Sequence, residues 1–273
     1  MHKGRIWCGA LLVFCLSAAF GALGYAHAAQ TYEPQVGQEG KDVVWVPTPQ
    51  ALVDKMLDMA QVTPNDFVMD LGSGDGRTVI TAAKRGARAL GIEYNPEMVE
   101  LSTRAAAKER VSDRAKFMKA DLFETDFSEA TVVTMFLLSS INLKLRPKIL
   151  DLRPGTRIVS NTFDMGEWKP DETGTAPGCS QWCTAHLWIV PAKVAGDWKT
   201  PQGELRLEQS FQMVSGTLST GNNRASISNG RLQGNRISFT LDGKEYTGTV
   251  SGTAMAGTIK GGGNWNAMRT GGR

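Results

Sequence analysis

The sequence predicts an α/β fold with a mainly parallel sheet, followed by a small all-β antiparallel meander or barrel. Two observations carry this. Over residues 42–195, short apolar runs alternate with segments of helical periodicity, the pattern of a sheet covered by helices on both faces. Over residues 197–273 the helical pattern is gone, and 14 of the chain's 30 glycines fall there at turn-like intervals. The boundary lies in Pro191–Gly196.

Each element follows from local chemistry. Thr48 reads as an N-cap with Pro49 at the first helical position, and Leu52, Val53, Met56, Leu57 and Ala60 then share one helical face. Phe67–Leu71 is a short apolar strand, followed by a glycine-rich turn and a helix over about 77–85. Ala89–Ile92 is the next strand, and Asn95-Pro96 opens a helix that reaches about Arg110. Lys116–Lys119 predicts a third strand and Thr131–Leu138 a fourth, as apolar as a strand buried on both faces. A helix over 142–150, a strand at Thr156–Ser160 and a last one at Ala185–Val190 complete the set. Beyond the boundary, Leu205, Leu207, Phe211 and Met213 alternate on one face, broken only by Gln209, and Ile237, Phe239 and Leu241 repeat the period of two. Six to eight short strands are expected.

Composition narrows the class. The chain has 273 residues, 41% hydrophobic and 21% charged. Those values exclude a disordered, collagen-like or multi-span membrane protein. Net charge is +3, and residues 29–273 hold 28 basic against 27 acidic side chains, so no basic stripe points to nucleic acid. Lys3 and Arg5 precede an uncharged run from Ile6 to Ala26, and Ala26-His27-Ala28 fits a small-x-small cleavage site. Residues 1–28 therefore read as a secretory signal peptide, with an uncleaved anchor as the alternative. Either reading exports the rest of the chain, to the periplasm or to the outer side of the inner membrane, with membrane contact only through that segment.

Cleavage leaves two cysteines, Cys179 and Cys183. In an oxidising compartment they are a disulfide candidate, and Pro177-Gly178 supplies a turn beside them. Free thiols are one alternative. A C-x3-C-x2-H metal site with His186 is another, but it lacks the fourth ligand of a tetrahedral site, and no metal is expected.

The motif that carries chemistry is Asp70-Leu71-Gly72-Ser73-Gly74-Asp75-Gly76-Arg77, between the first strand and its helix. Glycines there let backbone approach a ligand, and the helix N-terminus offers free N–H groups. Glu93 ends the next strand, where a carboxylate can accept both hydroxyls of a ribose. Asp121 follows the third strand, within reach of an adenine amine.

In this order the residues resemble the cofactor site of class I S-adenosylmethionine-dependent methyltransferases, over about residues 42–195. Val46-Pro47-Thr48-Pro49, the glycine motif, and Leu137-Leu138 through Asn142-Leu143-Lys144-Leu145-Arg146-Pro147 resemble a narrower group. That group contains the mitochondrial lysine methyltransferases of the ATP synthase c-subunit and the adenine nucleotide translocase, with bacterial relatives. The resemblance implies a Rossmann-like domain that binds S-adenosyl-L-methionine. It implies that Gly72, Ser73, Gly74 and Gly76 line the methionine and ribose part, and that Asp70 meets the methionine amino end. Glu93 would hold the ribose hydroxyls, Asp121 the adenine amine, and Leu122 would offer its backbone N–H. Pro47 and Thr48 would close over the methionine side. Gly196-Asp197-Trp198 with Arg269 resembles the G-x-W and arginine pair of lipocalin-like barrels, in a shorter segment.

The implied reaction is methyl transfer to a nucleophilic acceptor, with a protein lysine implied by the narrower group. Such a transfer needs alignment and a free lone pair, and neither a metal nor a covalent nucleophile. No catalytic residue is assigned. Met135-Phe136-Leu137-Leu138 stands where amino-group methyltransferases of the nucleic-acid type carry Asn/Asp-Pro-Pro-aromatic, so no nucleic-acid acceptor is expected. Phe136 and Asn142 are candidates for the acceptor side, against core packing and helix capping. Asp164-Met165-Gly166-Glu167-Trp168 either borders that pocket or is a turn packed by Trp168. A small-molecule methyltransferase and an exported, non-catalytic binding protein on the same fold are the competing functions.

Overall fold

Short apolar runs assemble into a seven-stranded sheet in the order β3-β2-β1-β4-β5-β7-β6. Strands β1 (Phe67–Leu71), β2 (Arg88–Glu93), β3 (Ala115–Lys119), β4 (Val132–Met135) and β5 (Arg157–Asn161) run parallel. Strand β7 (Thr184–Ile189) lies antiparallel between β5 and β6 (Glu172–Thr175). The computed structural model describes Met1, His2, Gly4 and residues 32–270, so the signal-peptide reading lies outside the described residues. Among those described, no helix is long and apolar enough to cross a membrane.

Four helices flank the sheet: α1 (Gln50–Met59), α2 (Arg77–Lys84), α3 (Pro96–Lys108) and α4 (Ser139–Leu150). Leu52, Val53, Met56 and Leu57 of α1 are buried together with Val79 and Ala83 of α2 on one side of the sheet. Ile141, Leu145 and Ile149 of α4 pack with Trp168 and Trp188 on the other. The chain runs from β1 outward to β2 and β3, then returns to place β4 on the opposite side of β1. A crevice opens at the strand ends where the winding reverses.

Two local expectations are corrected, and one strand is added. Thr48 does not cap α1: Pro49 takes that position, and the Thr48 hydroxyl accepts instead from Asn161 Nδ2 at 3.2 Å. Strand β4 stops at Met135, because the chain must leave the sheet to enter α4, and Leu137 turns inward above Gly72. Strand β6 had no signal, since Glu-Thr-Gly-Thr on an edge buries no residue fully.

The C-terminal third is a closed antiparallel barrel of eight strands. They are β8 (Gly196–Thr200), β9 (Gly203–Ser210), β10 (Met213–Thr220), β11 (Asn223–Gln233), β12 (Arg236–Leu241), β13 (Lys244–Ser251), β14 (Ala254–Ile259) and β15 (Asn264–Arg269). Closure comes from β15 against β8, through Met268 opposite Lys199 and Arg269 opposite Trp198. The Arg269 guanidinium lies 4.5 Å over the Trp198 ring and donates to the carbonyls of Ala195 and Lys193 at 2.6 and 2.7 Å.

Inside, Phe239 stacks on Tyr246 at 4.9 Å and meets Trp265 edge-on at 5.3 Å. Gly248 makes room for that indole, since a Cβ there would stand 2.6 Å from the Trp265 ring.

The alternation expected through Phe211 and Met213 breaks at the turn. Phe211 sits there at φ +54°, and Met213 is exposed. The Phe211 ring leaves the barrel and stacks on Trp168 at 5.9 Å. Beside it, Gln212 Nε2 donates to the Lys169 carbonyl at 2.8 Å and Arg231 pairs with Asp171 at 2.6 Å. The Asp164–Trp168 segment is therefore a packed turn: Met165 and Trp168 are fully buried, and Trp168 anchors the barrel.

Candidate functional site

The crevice at the ends of β1, β2 and β4 gathers the predicted residues. Pro47, Thr48, Asp70, Gly72, Ser73, Gly74, Glu93, Asp121, Leu122 and Phe136 all line it. Gly72, Gly74 and Gly76 adopt φ of +78°, +52° and +80°, a region that favours glycine. The N–H groups of Gly72 and Ser73 both donate to the Ile92 carbonyl at 2.9 Å, which fastens the loop to β2.

Two predicted residues stand behind the crevice. Gly76 does not line it. A Cβ there would come within 2.6 Å of Ser102 and 2.7 Å of Phe117, so this glycine lets the loop pack on α3 and β3. Asn142 is fully buried, and its Nδ2 donates to the carbonyls of Phe163 and Asp164 at 3.0 and 3.2 Å. It holds the loop after β5.

The acids are held in different ways. Glu93 accepts from the Gly74 N–H through one oxygen and from the Asn95 N–H through the other, both at 2.9 Å. Each oxygen keeps a further lone pair. Asp70 is buried and accepts from the Thr134 hydroxyl at 2.6 Å. Burial pushes its carboxyl up to about 7 against that hydrogen bond, and the charges of Asp75 and Glu93 add to the rise.

A proton on Asp70 therefore stays in the folded chain between about pH 4 and pH 7, where the unfolded chain has lost it. Stability should fall as pH rises across that window, by up to about 1.4 kcal/mol per unit, and this contribution should level off above pH 7. Denaturant unfolding at pH 5, 6, 7 and 8 checks this. Asp70→Asn should flatten the profile, and an unchanged slope in that variant would refute the assignment.

Sequence reasoning missed the strap over the crevice. Trp45 exchanges backbone hydrogen bonds with Gly37 and Gln38 at 2.8 and 2.9 Å. Its indole lies on the glycine loop, where a Cβ on Gly74 would stand 2.6 Å from Nε1. Lys41, on the same strap, forms an ion pair with Asp121 and lies 4.9 Å over the Tyr94 ring. That hydrogen bond holds the Asp121 carboxyl below its usual range. Arg77 ties the strap's far end down by donating to the Thr48 carbonyl at 2.8 Å while gripping Asp75. Only the Val46–Pro49 end of the strap is marked in the sequence, by resemblance; the part carrying Lys41 and Trp45 is not, because its contacts join residues far apart along the chain.

The residues present suit a nucleoside with an amino-acid tail. A buried hydroxyl, Ser73 Oγ, has no protein partner beside the left-handed glycines, and carboxylates stand at the ends of β1 and β2. Cys179 and Cys183 are joined in a disulfide. Among the described residues, no group of three or more His, Cys, Asp or Glu side chains is placed to hold a metal.

Comparison with known proteins agrees with this geometry. The family model for the ANTKMT methyltransferase domain matches residues 70–172, and a DNA methylase model matches residues 29–104. A solved structure of an RNA methyltransferase from Salinibacter ruber, in complex with S-adenosyl-L-homocysteine, superposes with a TM-score of 0.52. It is 48% identical, over 55% of this chain and 96% of that one. Fold and crevice together are those of an S-adenosylmethionine-dependent methyltransferase.

The protein-lysine N-methyltransferase of Saccharolobus islandicus is 43% identical over 151 residues, which are 54% of this chain and 94% of the relative. The chain belongs to the methyltransferase family that includes this enzyme. It is also 34% identical over 120 residues to the adenine nucleotide translocase lysine N-methyltransferase of Mus musculus, but spans only 52% of that protein.

Proposed function

We propose that this enzyme moves a methyl group from S-adenosylmethionine to the ε-amino group of a protein lysine. The observation that carries the reading is the 43% identity across 94% of the archaeal protein-lysine N-methyltransferase. The donor's sulfonium supplies an electrophilic methyl group.

The chain's own residues hold and orient. Glu93 accepts from the ribose hydroxyls with the lone pairs left free by Gly74 and Asn95. Asp70 meets the donor's amino end, directly or through water, and Ser73 lines the site through the loop while its side chain rests on Gly91. Asp121 takes the adenine amine in place of Lys41, and the Leu122 N–H lies beside it. Pro47 and Thr48 cover the methionine side, with Thr48 held by Arg77 and Asn161. A lysine acceptor must reach the methyl carbon without its proton, which desolvation at the crevice favours.

A second reading has its own support, because the Salinibacter relative at 48% identity is described as an RNA methyltransferase. Against it, Met135-Phe136-Leu137-Leu138 lacks the paired prolines and polar side chain that hold an exocyclic base amine. One experiment separates the two. With a tritium-labelled methyl donor, and poly-L-lysine and total RNA offered together, the label should enter poly-L-lysine. Label in RNA alone would overturn the lysine reading.

A further inference from the structure

Three aromatic rings from three separate segments meet at the edge of the crevice. Phe136, which lines it, lies 6.0 Å from Phe163 and 5.7 Å from Trp182, and Phe163 lies 5.9 Å from Trp182. Phe136 follows β4, Phe163 follows β5, and Trp182 sits at the tip of the β6–β7 hairpin. Trp182 is 41% exposed, too open for a ring whose role is to fill a core.

The backbone that presents two of these rings is unusual. Thr162 stands at φ +60° in a turn closed by the Phe163 N–H on the Asn161 carbonyl at 2.7 Å. Trp182 itself stands at φ +54°. β-branched and bulky residues avoid this region unless their surroundings over-determine it. Here they do. Thr162 N–H donates to the Thr184 carbonyl at 2.8 Å, and Asn142 clamps the Phe163 carbonyl from beneath. The Cys179–Cys183 disulfide closes the tip around Ser180, Gln181 and Trp182, and Cys179 packs onto the core under α1.

We propose that Phe136, Phe163 and Trp182 form the receiving wall for the alkyl-ammonium side chain of the acceptor, and that the disulfide is the brace that positions Trp182. Adjacent aromatic faces attract an ammonium group and offer apolar contact to its methylene stem. The wall is continuous with the crevice through Phe136, so a side chain lying along it points toward the donor. Backbone strain at Trp182 and at Thr162, the residue before Phe163, is explained by the need to aim rings that sequence order alone would leave apart. The inference rests on the lysine reading above, and the test keeps the two separable.

The full chain is assayed for methyl transfer to poly-L-lysine, with donor affinity measured separately by calorimetry. Trp182→Ala should raise KM for poly-L-lysine about two- to thirtyfold while donor affinity stays at the wild-type value. Trp182→Phe should remain close to wild type. The double variant Cys179→Ser/Cys183→Ser, and wild type treated with dithiothreitol, should each reproduce a raised KM, and dithiothreitol should leave the double variant unchanged. An unaltered KM in Trp182→Ala, or a loss that follows donor affinity, overturns the wall and leaves the lysine reading standing. Failure of the wild type to methylate poly-L-lysine overturns both.

Discussion

Glu93→Ala should weaken S-adenosylmethionine binding by at least tenfold, in a chain that still folds. The side chain has two tasks at one point. Its oxygens hold the Gly74 and Asn95 N–H groups at 2.9 Å, and so fix both the glycine loop and the entry to α3. Their remaining lone pairs face the crevice. Hydrogen bonds to a charged group contribute about 1.5–3 kcal/mol each, so losing a single ribose contact alone accounts for a factor of roughly ten to a hundred and fifty. Loosening of the loop adds to that. Glu93→Gln keeps the shape and surrenders one acceptor, so it should fall between alanine and wild type. Calorimetric titration of the two variants decides the matter, with circular dichroism to verify folding. Wild-type affinity in Glu93→Ala would remove Glu93 from the donor site.

Trp168→Ala should be the most destabilising single change, at about 3–5 kcal/mol. The indole is fully buried, lies 6.2 Å from Trp188, and stacks on Phe211 from the barrel. Removing it leaves a cavity in the sheet's core and takes away the surface on which the barrel docks. For a chain of this length the loss corresponds to a fall in Tm of roughly 6–20 °C. Calorimetric melting should also show the single transition broadening or splitting, as sheet and barrel cease to melt together. Phe211→Ala, which leaves the core indole in place, should cause the uncoupling with a smaller fall in Tm. A Trp168→Ala protein that melts as wild type would mean that the barrel is held by its polar contacts alone.

What could be read from the sequence was what is local in it. The loop from Asp70 to Arg77 is contiguous, its glycines have a conformational reason, and Glu93 and Asp121 lie at strand ends that the apolar runs mark. Phe239 and its neighbours in β12 were legible by the same token, since a period of two survives wherever one face is buried. Legibility ended where distant segments meet. Trp182 reaches Phe136 only because the β6–β7 hairpin folds back, and β6 carries no apolar pattern to announce it. Lys41 carries no mark in the sequence, yet it is the partner of Asp121. Phe211 fitted an alternating strand, but the hairpin turn claimed it and Trp168 stacked against it. Thr48 had the chemistry of a cap, and the proline after it took the position first.

Closure of the barrel bears on how this chain behaves in a crowded solution. An open sheet offers rows of unpaired N–H and C=O groups at its margins, where a second molecule can add a strand. From β8 to β15 every strand has a neighbour on both sides, so the most β-rich third of the chain exposes no such margin. The seven-stranded sheet keeps two, and both are poor templates: β6 is four residues long, and β3 sets Lys116 and Lys119 outward. The weak seam is the short β8–β15 pairing, fastened by Arg269 across Trp198. Its opening would uncover two sticky edges at once, so Arg269 guards against self-association as well as holding the barrel shut.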